Sequence, residues 1–363
     1  MVSGGPNGAL WRMRKQLTAS VISAILPAPR PVELQLGRPL RVGYLRIDRR
    51  VGEVLLQTPI FHAHKRARPD DTVSAIVHPR MARVLRGQPH IDEVVPFSWR
   101  GFPAVGESRD QLAVLRALKL DVAVDCGDPS LFSVGHALAT RATGAPVRIG
   151  FARGPAADHY THPVTVPEPL HEATARARLL GPLGIDAGPT MHWVPHPREP
   201  VILDGEDVLQ RMRAEPGRHA VVTPGGRLAW RRAGPAQFGP LCQGLLERGR
   251  TPWIAPGPGE DELCADVARA APGARVLPLT DLDQLGALMQ AAGATVCNNS
   301  GPMHLSAACG APTFALFAKM DPTRWGHFQP EHEMVVVDLE SPDEGPRLKE
   351  RVLAWLDRLG GAR

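Results

Sequence analysis

The segment from Ala294 to Phe317 constrains this chain most, because it spells a strand, a turn, a helix and a second strand in 24 consecutive residues. A short β-rich run, Ala294 to Cys297, enters Asn298-Asn299-Ser300-Gly301-Pro302-Met303-His304, continues as the small-residue helix Leu305-Ser306-Ala307-Ala308, and leaves through Gly310 into Thr313-Phe314-Ala315-Leu316-Phe317. Two strands joined through a helix pair in parallel, so the segment is a βαβ unit and commits the chain to an α/β fold. Its turn has the makings of an anion site. Asn299 or Ser300 serves as N-cap, Gly301 admits close backbone approach, and Pro302 sits where a missing N–H costs nothing. The free N–H groups and the helix dipole favour phosphate there, and His304 lies one turn further in. The alternative is a well-capped turn with His304 packed in the core.

The same alternation runs through most of the 363 residues. Leu40 to Ile47 reads as a buried strand, Asp48 to Glu53 as a loop, and Val54 to His64 as a helix by its apolar spacing. Thr72 to Val77, Glu93 to Phe97 and Leu120 to Asp125 are further strands, with helices near Arg80 to Arg86 and Asp110 to Leu118. After the proline-rich Pro195 to Pro200 the pattern restarts: strand Arg218 to Val222, glycine-rich turn Thr223-Pro224-Gly225-Gly226-Arg227, helix Pro235 to Leu246, strand Thr251 to Ala255, helix Leu282 to Met289. Short connections between alternating elements imply doubly wound parallel sheets. Ligands in such sheets sit beyond the carboxyl ends of the strands, which places Glu53 at a site by topology alone.

So long a chain divides into two domains. The expected boundaries are an extension and linker over 1–38, Rossmann-like domains over 39–196 and 197–340 facing each other across a cleft, and a terminal helix within 341–363. In that helix Val352, Trp355 and Leu359 share a face that could strap the domains together. A hydrophobic share of 43% with 22% charged residues marks a globular protein, and the net charge of +5 suits anionic small molecules or a membrane surface. With 5% aromatics and no basic cluster interleaved with them, nucleic acid is not the expected partner. Cys126, Cys242, Cys264, Cys297 and Cys309 form no CxxC or His/Cys spacing and read as reduced thiols of a cytoplasmic protein. The start, Leu10-Trp11-Arg12-Met13-Arg14-Lys15-Gln16-Leu17 with Val21 to Leu26, is too short in apolar run for a membrane span. It reads either as an amphipathic helix on the inner membrane face or as a helix or tail of the domain itself.

Several segments together resemble the bacterial heptosyltransferases, glycosyltransferase family 9 of the GT-B fold. They are Arg46-Ile47-Asp48-Arg49-Arg50-Val51-Gly52-Glu53-Val54-Leu55-Leu56-Gln57-Thr58-Pro59, Pro89 to Phe97, Arg148-Ile149-Gly150-Phe151, Leu179 to Gly184, Thr223 to Gly226, Asn299 to His304, and Phe317 to Arg324. The resemblance implies inverting transfer of a sugar from a nucleotide diphosphate donor, ADP-heptose in the best-known members, to a lipopolysaccharide core at the inner membrane face. It implies no tightly bound metal or other cofactor. The partners would be the nucleotide sugar and an anionic glycan or glycolipid acceptor, and the location cytoplasmic, peripheral to the inner membrane.

Carried over by residue, the resemblance makes Glu53 the catalytic base and Arg231 the cation on the diphosphate. Gly52, Thr223, Gly225, Gly226, Glu260, Thr280, Asn299, Ser300, Gly301, Pro302, Met303 and His304 are the donor-binding set, with Glu260 on the ribose and Thr280 near adenine. Arg80, Arg83 and Arg148 are candidates for the acceptor. Four positions depart from the family pattern: Glu53 for Asp after one extra loop residue, Arg231 for Lys, Asn299 for an acid, and Ala318-Lys319-Met320 for Gly-Pro-Thr. Asp281-Leu282-Asp283 has the outline of a metal-binding DxD, but its place at a helix start makes it a cap. Two further readings are the same frame acting on another nucleotide sugar, and a partner that binds nucleotide sugar without turnover. The missing GxGxxG and YxxxK argue against an epimerase.

Overall fold

The computed structural model describes residues 29–30, 32–98, 107–167 and 170–361. The chain forms two compact units divided between Thr190 and Met191. The first is built on six parallel strands in the order β3-β2-β1-β4-β5-β6: β1 Arg41–Arg46, β2 Thr72–Val77, β3 Glu93–Pro96, β4 Val122–Asp125, β5 Val147–Phe151 and β6 His162–Val164. Val42, Tyr44, Leu45, Val73, Ile76 and Val122 are buried without exposure, as the continuous apolar runs of strands covered on both faces require. Arg41 pairs with Thr72 on one side of β1 and Val42 with Val122 on the other. Strand order therefore runs outward both ways from the β1/β4 pair, and the crevice at their carboxyl ends is where sheets of this topology take a ligand.

The helix expected from Val54 to His64 is two helices, α1 Val51–Leu55 and α2 Thr58–Ala67. Pro59 is the cause. It has no N–H for the Leu55 carbonyl and its ring collides there, so the helix stops and restarts. The Thr58 hydroxyl donates to that orphaned Leu55 carbonyl at 2.8 Å.

The second unit repeats the topology. Its sheet has the order β11-β10-β9-β12-β13-β14, all parallel: β9 His219–Thr223, β10 Thr251–Ile254, β11 Arg275–Val276, β12 Thr295–Asn298, β13 Thr313–Ala318 and β14 Glu333–Val337. A small antiparallel hairpin, β7 Ile202–Leu203 with β8 Glu206–Asp207, precedes it, its turn made by Asp204 and Gly205 at positive φ. The last helix, Glu344–Gly361, puts Leu348, Val352, Trp355 and Leu356 into one core with Phe238, Leu241 and Leu245 of helix Pro235–Glu247. A Cβ at Gly244 would lie 2.9 Å from Val352, so the glycine sets how closely these helices approach. The apolar face expected to strap two domains is thus used inside the second unit.

All five cysteines are free and buried. The amphipathic stretch expected near the N-terminus lies outside the described residues. Among the described residues no helix is long and apolar enough to cross a membrane.

Candidate functional site

In the first unit the crevice at the β1/β4 pair is filled by charge. Arg46, the last residue of β1, is 2% exposed, and Glu53 in the first turn of α1 is 6% exposed. Arg46 Nη2 donates to Glu53 Oε2 at 2.7 Å, and Arg176 Nη2, from a helix at Glu172–Ala177, donates to the same oxygen at 2.8 Å. Among the described residues the partner of Glu53 Oε1 is Arg50 at 3.7 Å, a side chain that is itself largely exposed. The carboxylate therefore faces buried guanidiniums, while its place in the first turn also suits the helix dipole. Gly52 stands beside it, its carbonyl accepting from Leu56 N at 2.9 Å.

Around this pair stand residues that sequence reasoning missed. Arg46 Nη1 donates to the Cys126 carbonyl at 2.6 Å, and Glu172, fully buried, lies 2.8 Å from Arg176 Nη1. Asp125, at the carboxyl end of β4, accepts from Gly127 N at 2.7 Å and from the Tyr160 hydroxyl. Burial and the Asp125 carboxylate push that hydroxyl well above its ordinary range. His136 Nε2 accepts from Ile47 N at 3.1 Å, and burial lowers the imidazole's proton affinity. A charged residue closing a buried parallel strand, as in Arg46 and Asp125, is a signal that was present in the sequence. The Glu172/Arg176 pair at i, i+4 in an alanine-rich stretch is a fainter one.

The three candidate acceptor arginines are not brought together. Arg80 and Arg83 are exposed on the helix Pro79–Leu85 that follows β2. Arg148 lies near the amino end of β5, with Nη1 on the Ala145 carbonyl at 3.0 Å and Nε on the His159 carbonyl at 3.3 Å. Its guanidinium is occupied by backbone at the amino-terminal end of the sheet, whereas Glu53 stands at the carboxyl-terminal end.

The second unit's site is made of turns. Thr223 ends β9 buried, and its hydroxyl finds no hydrogen-bond partner among the described residues. Beyond it, Glu260 Oε1 accepts from Gly226 N at 3.0 Å and Oε2 from Gly257 N at 3.0 Å, so one carboxylate ties together the turns after β9 and β10. A Cβ at Gly225 would fall 1.8 Å from Glu260 Oε2, so any larger residue would displace the carboxylate from its two backbone N–H groups. Asn298, buried at the end of β12, donates to the carbonyls of Pro224 at 2.7 Å and Ala233 at 3.1 Å and accepts from Ala233 N at 3.0 Å. That amide, also missed from sequence, stitches the glycine turn to the strand that leads into the Asn299–Gly301 turn.

The helix after β12 runs Gly301–Ala308 with Ser300 as N-cap. No side chain caps it: Ser300 Oγ donates instead to the Asn298 carbonyl at 3.2 Å. The expected side-chain cap is absent because Ser300 turns back toward the strand. Pro302 occupies the first turn, Met303 N bonds the Ser300 carbonyl at 3.1 Å, and the Met303 side chain packs with Cys297, Ala315 and Phe317. His304 is buried, its Nδ1 3.1 Å from His327 Nε2, so its ring belongs to the interior while its backbone belongs to the turn. Arg231 ends a short 3-10 turn, donates to the Met320 sulfur and lies 5.5 Å over the exposed Trp230 ring. Asn299 Nδ2 approaches the same sulfur at 3.8 Å. Three of the four departures from the family pattern thus form one contact set. Thr280 is half-buried beside the exposed Leu279, directly before the cap Asp281.

Asp281 accepts from Gln284 N at 2.8 Å and Gln284 returns a bond to Asp281 N at 3.0 Å, while Asp283 accepts from His196 N at 2.8 Å. The DxD outline is a capping box, as expected. Among the described residues no group of three or more His, Cys, Asp or Glu is arranged to hold a metal ion.

Residues 207–350 match the family model described as "Glycosyltransferase family 9 (heptosyltransferase)". Over 300 residues the chain is 25% identical to lipopolysaccharide heptosyltransferase 3 of Escherichia coli (strain K12), covering 76% of this chain and 81% of that one. Among solved structures, a family 9 glycosyl transferase from Veillonella parvula superposes with a TM-score of 0.72 at 16% identity, over 89% of this chain and 99% of that one. The E. coli heptosyltransferase WaaC with ADP does so with a TM-score of 0.69 at 18% identity, over 87% and 100%. At those identities the structural likeness is one of fold.

Proposed function

We propose, from the premise that this chain is a glycosyltransferase related to the family 9 heptosyltransferases, that it moves a heptose from ADP-heptose to a lipopolysaccharide-core acceptor with inversion, using Glu53 as the base. The observation that carries this reading is the division of labour within one buried carboxylate: among the described residues Glu53 Oε2 holds two guanidiniums while Oε1 has a long contact to an exposed arginine. An acceptor hydroxyl loses its proton to Oε1 as its oxygen attacks the anomeric carbon, a role worth roughly 10² to 10⁴ in rate. The bond to the diphosphate breaks with its electron pair leaving on phosphate. That charge is received by Arg231 and by the uncapped helix start at Gly301, with no metal taking part. Glu260 keeps lone pairs for ribose hydroxyls, and Leu279 offers an apolar wall for the base beside Thr280. The work takes place in the cytoplasm, at the periphery of the inner membrane.

The test is release of nucleoside diphosphate by purified protein from ADP-heptose and from UDP-, GDP- and dTDP-sugars, with deacylated lipopolysaccharide as acceptor. Release of ADP from ADP-heptose, only with acceptor present, is expected. The Arg231/Asn299/Met320 contact set favours one second reading, the same frame on a different donor. Turnover of another nucleotide sugar and not ADP-heptose would establish it.

A further inference from the structure

The chain leaves β13 through a strained residue. Lys319 has a φ of +56°, one of three non-glycine residues in the left-handed region among the described residues, and unlike Asp204 it belongs to no hairpin turn. Its Cβ crowds the following carbonyl, so the conformation persists only where surrounding contacts hold it. The ion pair of Lys319 Nζ with Glu340 at 2.9 Å is exposed at both ends and contributes little. Just beyond, Asp321 Oδ1 accepts from Thr323 N at 2.8 Å and fixes the turn Pro322–Arg324. Between the strand end and that capped turn, the left-handed step sets where Met320 points. Met320 is half-buried against Cys297, Met303, Ala315 and Phe317, and its sulfur accepts from Arg231 Nη1, with Asn299 Nδ2 3.8 Å away.

A thioether is among the weakest acceptors a guanidinium can have, and a phosphate oxygen among the strongest. We propose that Met320 is a displaceable plug of the donor site: its sulfur occupies Arg231 while the site is empty, and the donor's diphosphate expels it on taking over the guanidinium. The inference rests on the diphosphate lying at Arg231, as in the function proposed above. Methionine suits the role, because its flexible side chain can swing aside while the backbone at Lys319 and the capped turn stay fixed. The affinity of every ligand that takes the guanidinium falls by the same factor, the share of molecules in which the plug is out. A single phosphate with no other hold then drops below useful occupancy. A diphosphate that also meets the helix start at Gly301 keeps it.

Calorimetry on the full chain with ADP and with inorganic pyrophosphate tests this. A plug seated in about nine of ten empty molecules lowers affinity about tenfold, so Met320→Ala is expected to tighten both ligands by roughly three- to tenfold. In the Arg231→Met background the same substitution gives no gain, because the contact it relieves is already gone. Affinities that fall, or stay within about twofold of the wild type, overturn the proposal, and so does a gain that survives in Arg231→Met. Should Met320→Ala fail to fold, Met320→Leu, which keeps the packed volume and removes the sulfur, decides by the same sign. The two readings fail separately. If Arg231→Met leaves ADP affinity unchanged, the diphosphate does not lie at Arg231 and both fall. If Arg231→Met weakens ADP while Met320→Ala does not tighten it, the plug alone falls.

Discussion

The two units place their chemistry at the same topological address and make it from different material. Each sheet has the strand order that runs outward from a central pair, β1/β4 in one and β9/β12 in the other. At the first address stand buried side-chain charges, Arg46, Glu53, Arg176 and Glu172. At the second stand backbone N–H groups, glycines and an uncapped helix start, with carboxylate and amide side chains, Glu260 and Asn298, spent on holding turns. The contrast fits the tasks proposed for the two sites. Moving a proton needs a titratable group whose surroundings can be adjusted, whereas holding a diphosphate needs many fixed N–H dipoles at close range.

If that contrast is real, damage to the second address should separate donor binding from proton transfer. Gly225→Ala has the largest expected effect. Its Cβ would overlap Glu260 Oε2 at 1.8 Å, and such overpacking costs about 1–3 kcal/mol. ADP binding measured by calorimetry should weaken roughly ten- to a hundredfold. Arg231→Met comes next, with about a tenfold loss of ADP affinity from one charge-assisted contact. Arg231→Lys sharpens the comparison, because retained affinity would show that charge rather than the guanidinium fork is what the position supplies. Asp281→Ala is the smallest: loss of the capping box costs about 1 kcal/mol in denaturant unfolding and leaves ADP release unchanged. A fall in release on adding a chelator, abolished by Asp281→Ala, would return the DxD outline to metal binding.

The same contrast explains what the sequence disclosed. Sites built of backbone must be written in residues that shape backbone, so Thr223 to Gly226 and Asn299 to Pro302 stand out in the chain. The first site draws Arg176 from 123 residues beyond Glu53, and no local pattern announces that meeting. Strands were legible because parallel sheets bury both faces and read as apolar runs. The break between α1 and α2 was also written, in Pro59, but the apolar spacing on either side concealed it. Arg148 was misleading for a directional reason: a strand carries its amino end away from the ligand crevice, and Arg148 is the second residue of β5. His304 shows both alternatives at once, a core ring on a helix whose first turn faces the candidate site.

The most direct test of the division between the units pairs two readouts on Glu53→Gln, ADP affinity by calorimetry and ADP release from ADP-heptose with acceptor. The expected result is release reduced by at least about a hundredfold with ADP affinity unchanged. Release near the wild-type rate, or loss of ADP binding together with release, would contradict it.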